Sequence, residues 1–154
     1  MNSQGNPYLS NFRYPLYSGD AIRRLIPQRE PMVQVDTFYG ISGQDSFSGL
    51  TVKDDNLFCS NGVFPEEGII EHFAQSAAAR IGFIFIQNKE AVPVGFIGAV
   101  SKFTLYAHPH VGSELLTVVS ILQEVGNITL AGIKSWTAEG LVAEGELKIY
   151  LNKE

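Results

Sequence analysis

Few side chains in this 154-residue sequence could move a proton or hold an ion near neutral pH. They are His72, His108 and His110, the lone Cys59, and the carboxylates, of which Glu71 has the most telling neighbours. Glu71 falls early in a predicted helix, beside an apolar stripe. Such a carboxylate is either a proton donor or shuttle next to a greasy channel, or a solvated glutamate favoured by the helix dipole. His72 is adjacent, but neighbouring side chains on a helix diverge by about 100°, so the two cannot meet within one helix. His72 aligns instead with Ser76 and Arg80, a polar stripe expected to face solvent or a partner. His108 and His110 lie two apart in a turn with no acidic cluster beside them, which is not metal-ligand spacing, so no metal is expected. Cys59 has no helix N-terminus or histidine near it in sequence to activate it and reads as a small core residue. The glycines are dispersed and form no phosphate loop.

The element that must position Glu71 is a helix from about Pro65 to Gln87. Ile70, Phe73, Ala74, Ala77, Ala78, Ile81, Ile84 and Phe85 recur with the 3.6-residue period of one helix face. Pro65 suits the first turn, and Glu66 with Glu67 complements the positive end of the dipole. The alanines in the stripe suit a curved sheet wrapped closely around the helix. Before it, Asp20 could cap a short helix over Ala21–Ile26, and Met32–Tyr39 and Gln44–Val52 read as strands, with Leu57–Ser60 a very short third. After Pro93 come four β-rich runs, Val94–Tyr106, Glu114–Glu124, Asn127–Thr137 and Leu141–Leu151. Turn residues at Pro109 with Gly112, Gly126–Asn127 and Glu139–Gly140 separate them, so a four-strand antiparallel meander is expected. Trp136, Phe96, Phe103, Tyr106 and Tyr150 alternate along these strands as core or tunnel wall. Residues 1–19 form an irregular arm, too apolar to float free. The class is α+β, one domain over 1–154 with an antiparallel sheet around one long central helix.

Composition bounds the partners. Eleven Lys and Arg against 16 Asp and Glu give a net charge of −5, which argues against nucleic acid as the main partner. Hydrophobic residues are 45% and charged residues 18%, below the roughly 25% of an average chain. That surplus of apolar residues points to a second buried surface, most simply a subunit interface. One cysteine excludes an internal disulfide framework. The first thirty residues hold no signal-like apolar run, and Ile81–Ile86 is far shorter than the roughly 20 residues of a membrane span. A soluble, cytoplasmic protein with no membrane partner is expected.

Several segments, in order, resemble the hotdog-fold β-hydroxyacyl-acyl carrier protein dehydratases. Arg24-Leu25-Ile26-Pro27-Gln28-Arg29-Glu30-Pro31-Met32 with Val35-Asp36 resembles the family's opening L-P-H-R-x-P segment and its V-D. Ile69-Ile70-Glu71-His72-Phe73-Ala74-Gln75 resembles the start of its central helix, I-x-E-x-x-A-Q. Phe96-Ile97-Gly98-Ala99-Val100 with Phe103, and His110-Val111-Gly112-Ser113-Glu114-Leu115, resemble two later segments. The match runs from Ile22 to Leu151. It departs where the family carries a catalytic histidine before Phe-Pro: Phe64-Pro65 follows Val63, and Gln28 replaces the opening histidine. Leu57-Phe58-Cys59 with Gly62 is similar to the divergent dehydratases of aryl-polyene and flexirubin-type pigment pathways.

The resemblance implies elimination of water from a 3-hydroxyacyl thioester to give the 2-enoyl thioester. Glu71 would be the catalytic acid/base, with Gln75, Gly68, Phe64 and His72 against the substrate. Gln75 could hold a water for Glu71, and the turn at Glu67, Gly68 and Ile69 could offer backbone N–H groups to the thioester oxygen. No cofactor is implied, since the acyl group is carried on phosphopantetheine. The implied partners are an acyl carrier protein and a second hotdog subunit, identical or paralogous; Arg23, Arg24, Arg29 and Arg80 are either a local basic patch for that acidic carrier or scattered solubilising charges. A hotdog thioesterase, and a non-catalytic acyl-binding subunit lacking the family histidine, stay open as alternatives.

Overall fold

The computed structural model describes residues 5–92 and 94–152, without the side chains of 94–99 and 152. Strands β1 (Tyr17–Ser18), β2 (Thr37–Ser42) and β3 (Asp45–Thr51) precede helix α1 (Glu66–Gln87). Strands β4 (Val94–Leu105), β5 (Glu114–Val125), β6 (Ile128–Thr137) and β7 (Gly140–Asn152) follow it. All seven form one antiparallel sheet in the order β1-β2-β3-β5-β6-β7-β4, with α1 packed along its inner face. The hotdog architecture expected from the sequence is the one found.

The meander has three strands, not four. Tight turns make β5–β6 and β6–β7 neighbours as expected, but β4 pairs with β7 at the sheet's far edge and not with β5. The long connection through Pro109 and Gly112 carries the chain back to β3, whose partner β5 becomes. The early strand begins only at Thr37, and Leu57–Ser60 is a pair of turns closed by an isolated Ser60–Val63 bridge. Asp20 lies in a 3-10 turn over Gly19–Arg24 and makes no capping hydrogen bond.

Two apolar clusters flank the helix. Ile69, Phe73 and Ala77 join Leu115, Val119, Ile133 and Leu147. Ala79 joins Ile22, Leu25, Ile26, Val35 and Phe38. His72, Ser76 and Arg80 are buried on the sheet side, which overturns the expectation that this stripe faces solvent or a partner. His72 meets the buried Thr117 there, which in turn meets Ser135, and Arg80 reaches the Gln44 carbonyl, whereas the buried hydroxyls of Ser46, Ser48 and Ser76 have no hydrogen-bond partner. Much of the predicted apolar stripe turns the other way. Ile70, Ala74, Ala78, Ile81 and Phe85 are only half-buried.

The N-terminal arm packs on the opposite, outer face of the sheet. Tyr8 stacks near Phe47 and Trp136 at ring distances of 5.9 and 6.0 Å, and Phe12 meets Phe47 at 5.4 Å. Trp136 is therefore covered by the arm and does not line a tunnel, while Tyr106 and Tyr150 are exposed. Only Phe103 reaches the helix, edge-on to Phe73; the Phe96 side chain lies outside those described. By length and composition α1 would suit a membrane span, mean hydropathy 1.2, but it is the helix the sheet wraps.

Candidate active site

Glu71 projects from the second turn of α1 and is half-buried. One turn on, Gln75 Nε2 donates to Glu71 Oε2 at 2.8 Å and to the Met32 carbonyl at 2.7 Å. Gln75 Oε1 accepts the Gln34 N–H at 2.6 Å. The amide thus commits both donors and accepts a backbone bond, in full burial. Both amide protons, expected to be available for a water or substrate, are spent within the protein. The amide holds Glu71, leaving the other carboxylate oxygen free.

His72 lies beneath this layer. Nδ1 is 2.6 Å from the Gln34 carbonyl, and Nε2 is 2.7 Å from Thr117 Oγ1, which in turn meets Ser135 Oγ. A carbonyl only accepts, so Nδ1 carries the proton. Burial pushes the imidazole down to about 4, against the opposing pull of the Gln34 carbonyl and the Asp36 charge, so it is neutral at pH 7. Nε2 must then accept from Thr117, and Thr117 from Ser135. Every donor in the row has a single direction. His72, expected against a substrate, is fully buried with both ring nitrogens partnered inside the protein.

The helix entrance also differs from expectation. Pro65, the N-cap, accepts the N–H groups of both Gly68 and Ile69, at 3.0 and 3.1 Å. Gly68 is spent as an oxyanion donor, and Glu66 and Glu67 hold the first-turn N–H groups that lack a helix carbonyl. Phe64 is fully buried over Gly68, where a β carbon would fall 2.5 Å from its ring. Both residues, expected against a substrate, are buried against each other at the helix entrance. Val63 pairs with His110 across an isolated bridge: the Phe64 N–H bonds the Pro109 carbonyl, and the Val111 N–H the Gly62 carbonyl. In that pattern the paired residues are not themselves hydrogen-bonded and their side chains are at their closest.

Next to Glu71 along the helix, a cavity of about 410 Å³ opens over Ala74, Ala77, Ala78 and Ile81. Leu25 to Arg29 wall it on one side, and Ile149 and Leu151 on another. Sequence periodicity identified its floor but assigned those alanines to sheet packing. Arg23, Arg24 and Arg29 stand at this cavity, exposed. Arg80 does not join them; it is buried toward the sheet, and its guanidinium donates to the Gln44 carbonyl at 3.1 Å. Among the described residues no group of three His, Cys, Asp or Glu could hold a metal ion.

A long helix wrapped by an antiparallel sheet, with a carboxylate one helical turn before an apolar cavity, places the molecule among hotdog proteins. Residues 20–154 match the family model of the ApeP dehydratases, and the chain belongs to this ApeP-like family of 3-hydroxyacyl-carrier-protein dehydratase-like hydro-lyases. It is 24% identical over 143 residues to the 3-hydroxyacyl-acyl-carrier-protein dehydratase FabZ of Wolinella succinogenes, covering 86% of this chain and 94% of that one. It is 28% identical over 136 residues to the FabZ of Clostridium botulinum, with the same coverage. Among solved structures it resembles a chain of the dehydratase heterocomplex ApeI:P from Xenorhabdus doucetiae. The TM-score is 0.79 at 20% identity, covering 86% of this chain and 91% of that one.

Proposed function

We propose that the chain takes part in dehydrating a 3-hydroxyacyl group carried on the phosphopantetheine arm of an acyl carrier protein, with Glu71 as the acid/base group. The observation that carries this is Glu71 itself, fixed through one oxygen by Gln75, free at the other, and one helical turn before Ala74, which lines the apolar cavity. In this reading the free oxygen takes the C2 proton of the thioester. The C2–H electrons form the C2=C3 double bond, the C3–O bond breaks, and the departing hydroxyl takes the proton now on Glu71 and leaves as water, which returns Glu71 to its carboxylate form. The first-turn N–H groups of Glu66 and Glu67 are available to the enolate-like thioester oxygen. The acyl chain lies over Ala74, Ala77 and Ala78, and the exposed Arg23, Arg24 and Arg29 meet the acidic carrier despite the net charge of −5. No cofactor is required. A cytoplasmic location and an aryl-polyene or flexirubin-type pigment substrate belong to the same reading.

Glu71→Gln tests it. Dehydration of a 3-hydroxyacyl-carrier substrate should fall by about 10²–10⁴-fold; unchanged turnover would sink the assignment. Release of free thiol without loss of water would point instead to a thioesterase.

Val63 supports a second subunit in the active unit, because the family's histidine is missing there. Pairing with a paralogous hotdog chain that brings a histidine is supported by the half-buried helix face and by β4, which pairs only with β7 among the described residues. Mixing with such a subunit should raise turnover; an unaltered rate, with the homodimer fully active, would favour the self-sufficient form.

A further inference from the structure

We propose that His72 is a positioning residue for Glu71, acting through the peptide of Gln34 and the amide of Gln75. The segment Met32–Asp36 has no strand ladder of its own, so part of its buried backbone must be satisfied by side chains. Helix α1 supplies them. Gln75 takes the Met32 carbonyl and the Gln34 N–H, and His72 takes the Gln34 carbonyl. The Gln34 peptides are thus gripped on both sides, by two helix residues three positions apart. Gln75 has one remaining N–H, and that bond ends on Glu71. From the other direction, Ser135 and Thr117 fix the imidazole, which is fully buried. A one-way row of donors therefore runs from the sheet through His72 to Gln34, and the layer above it runs from Gln34 through Gln75 to Glu71.

A purely space-filling residue would not need this directionality. An apolar side chain at position 72 would leave the Gln34 carbonyl unsatisfied, take its imidazole acceptor from the Thr117 hydroxyl and let residues 32–36 shift against the helix. The orientation of Gln75, set by that segment, would go with it. Glu71 would still be present but would no longer be held.

The inference rests on reading Glu71 as the acid/base group, so its test needs one readout that does not depend on activity. That readout is the side-chain amide resonance of Gln75, followed by NMR in the purified 154-residue chain. Asparagine places its amide nitrogen where the imidazole Nδ1 lies, keeping the bond to Gln34. Glutamine reaches toward Thr117 but gives up that bond while staying polar enough to fold. His72→Asn should preserve the Gln75 amide signals and keep kcat within about threefold. His72→Gln should shift those signals and lower kcat about tenfold with KM unchanged within about twofold. Adding His72→Gln to Gln75→Ala should cause little further loss, since both act along one path.

Equal losses in Tm for both variants, with unmoved Gln75 signals and equal kcat, would overturn the proposal and leave Glu71 untouched. Full activity of Glu71→Gln would overturn the catalytic reading and the positioning role for catalysis with it. The Gln75 signals would then still report whether His72 orders the amide.

Discussion

The two long faces of helix α1 differ in a direction opposite to the usual amphipathic rule. The face toward the chain's own sheet buries His72, Gln75, Ser76 and Arg80 among its apolar residues, whereas the face turned away presents Ile70, Ala74, Ala78, Ile81 and Phe85 half-exposed. A helix with only its own sheet to satisfy would place its clearest apolar stripe inward. Here His72, Gln75 and Arg80 are matched to a hydroxyl and to backbone groups of residues 32, 34 and 44, while the Ser76 hydroxyl is buried without a hydrogen-bond partner. The outer face is apolar and half-exposed, with Ala74, Ala78 and Ile81 lining the cavity. The lesson is that hydrophobic periodicity locates a buried face without saying what buries it.

Gly82 lies between the two faces, and it gives the harshest test of the contrast. The segment carrying Leu25 crosses the helix so closely that a β carbon at position 82 would sit 2.0 Å from the Leu25 carbonyl oxygen. That contact is with backbone and cannot be relieved by a rotamer change. Gly82→Ala should cost about 3 kcal/mol in urea unfolding, the upper end of overpacking. It should also displace the Leu25–Arg29 wall of the cavity. A variant of wild-type stability with unchanged acyl binding would show that the two faces do not meet there.

The inner face can be probed by pH. His72 is held at about 4 by burial, below its ordinary 6.5, so between those values the unfolded chain binds a proton that the native chain refuses. Stability is fully present above 6.5 and is lost as pH falls toward 4, to a total of about 2–3 kcal/mol from this group. His72→Asn cannot titrate. Its unfolding free energy, measured from pH 7 to 4, should fall less steeply than that of wild type by that amount. Parallel curves would mean that the imidazole is protonated inside the fold.

The extent of α1 was legible because its period was strong, and the tight turns of β5, β6 and β7 were legible because Gly126–Asn127 and Glu139–Gly140 leave no room for another pairing. The place of β4 was not, since a local turn signal cannot say that a strand will travel to the far edge of the sheet. Glu71 and Gln75 were found as a pair, but their division of labour was hidden. Gln75 is consumed by backbone atoms of residues 32 and 34, more than forty positions away. The same distance hid the role of His72, whose partners lie on residue 34 and on strand β5. The N–H groups of Gly68 and Ile69 were misjudged because one carbonyl, that of Pro65, takes both.

The smallest stability effect should come from the pair of alanines that straddle the contrast. Ala79 is fully buried with Ile22, Leu25 and Val35, whereas Ala78, its neighbour in sequence, floors the cavity. Leucine at 79 has to enlarge a filled core and should cost about 1–3 kcal/mol. Leucine at 78 enters open space and should change unfolding free energy by no more than about 0.5 kcal/mol. Ligand binding should reverse the order. Ala78→Leu takes volume from the cavity of about 410 Å³ and should weaken binding of a long acyl-carrier substrate far more than of a short one. Ala79→Leu, where it folds, should bind both as wild type does. Titration of the two variants with acyl-carrier substrates of two chain lengths, alongside urea curves, separates a face that holds the fold from one reserved for a ligand. If Ala78→Leu destabilised as much as Ala79→Leu, the outward face would be structural after all, and the cavity would lose its claim to the acyl chain.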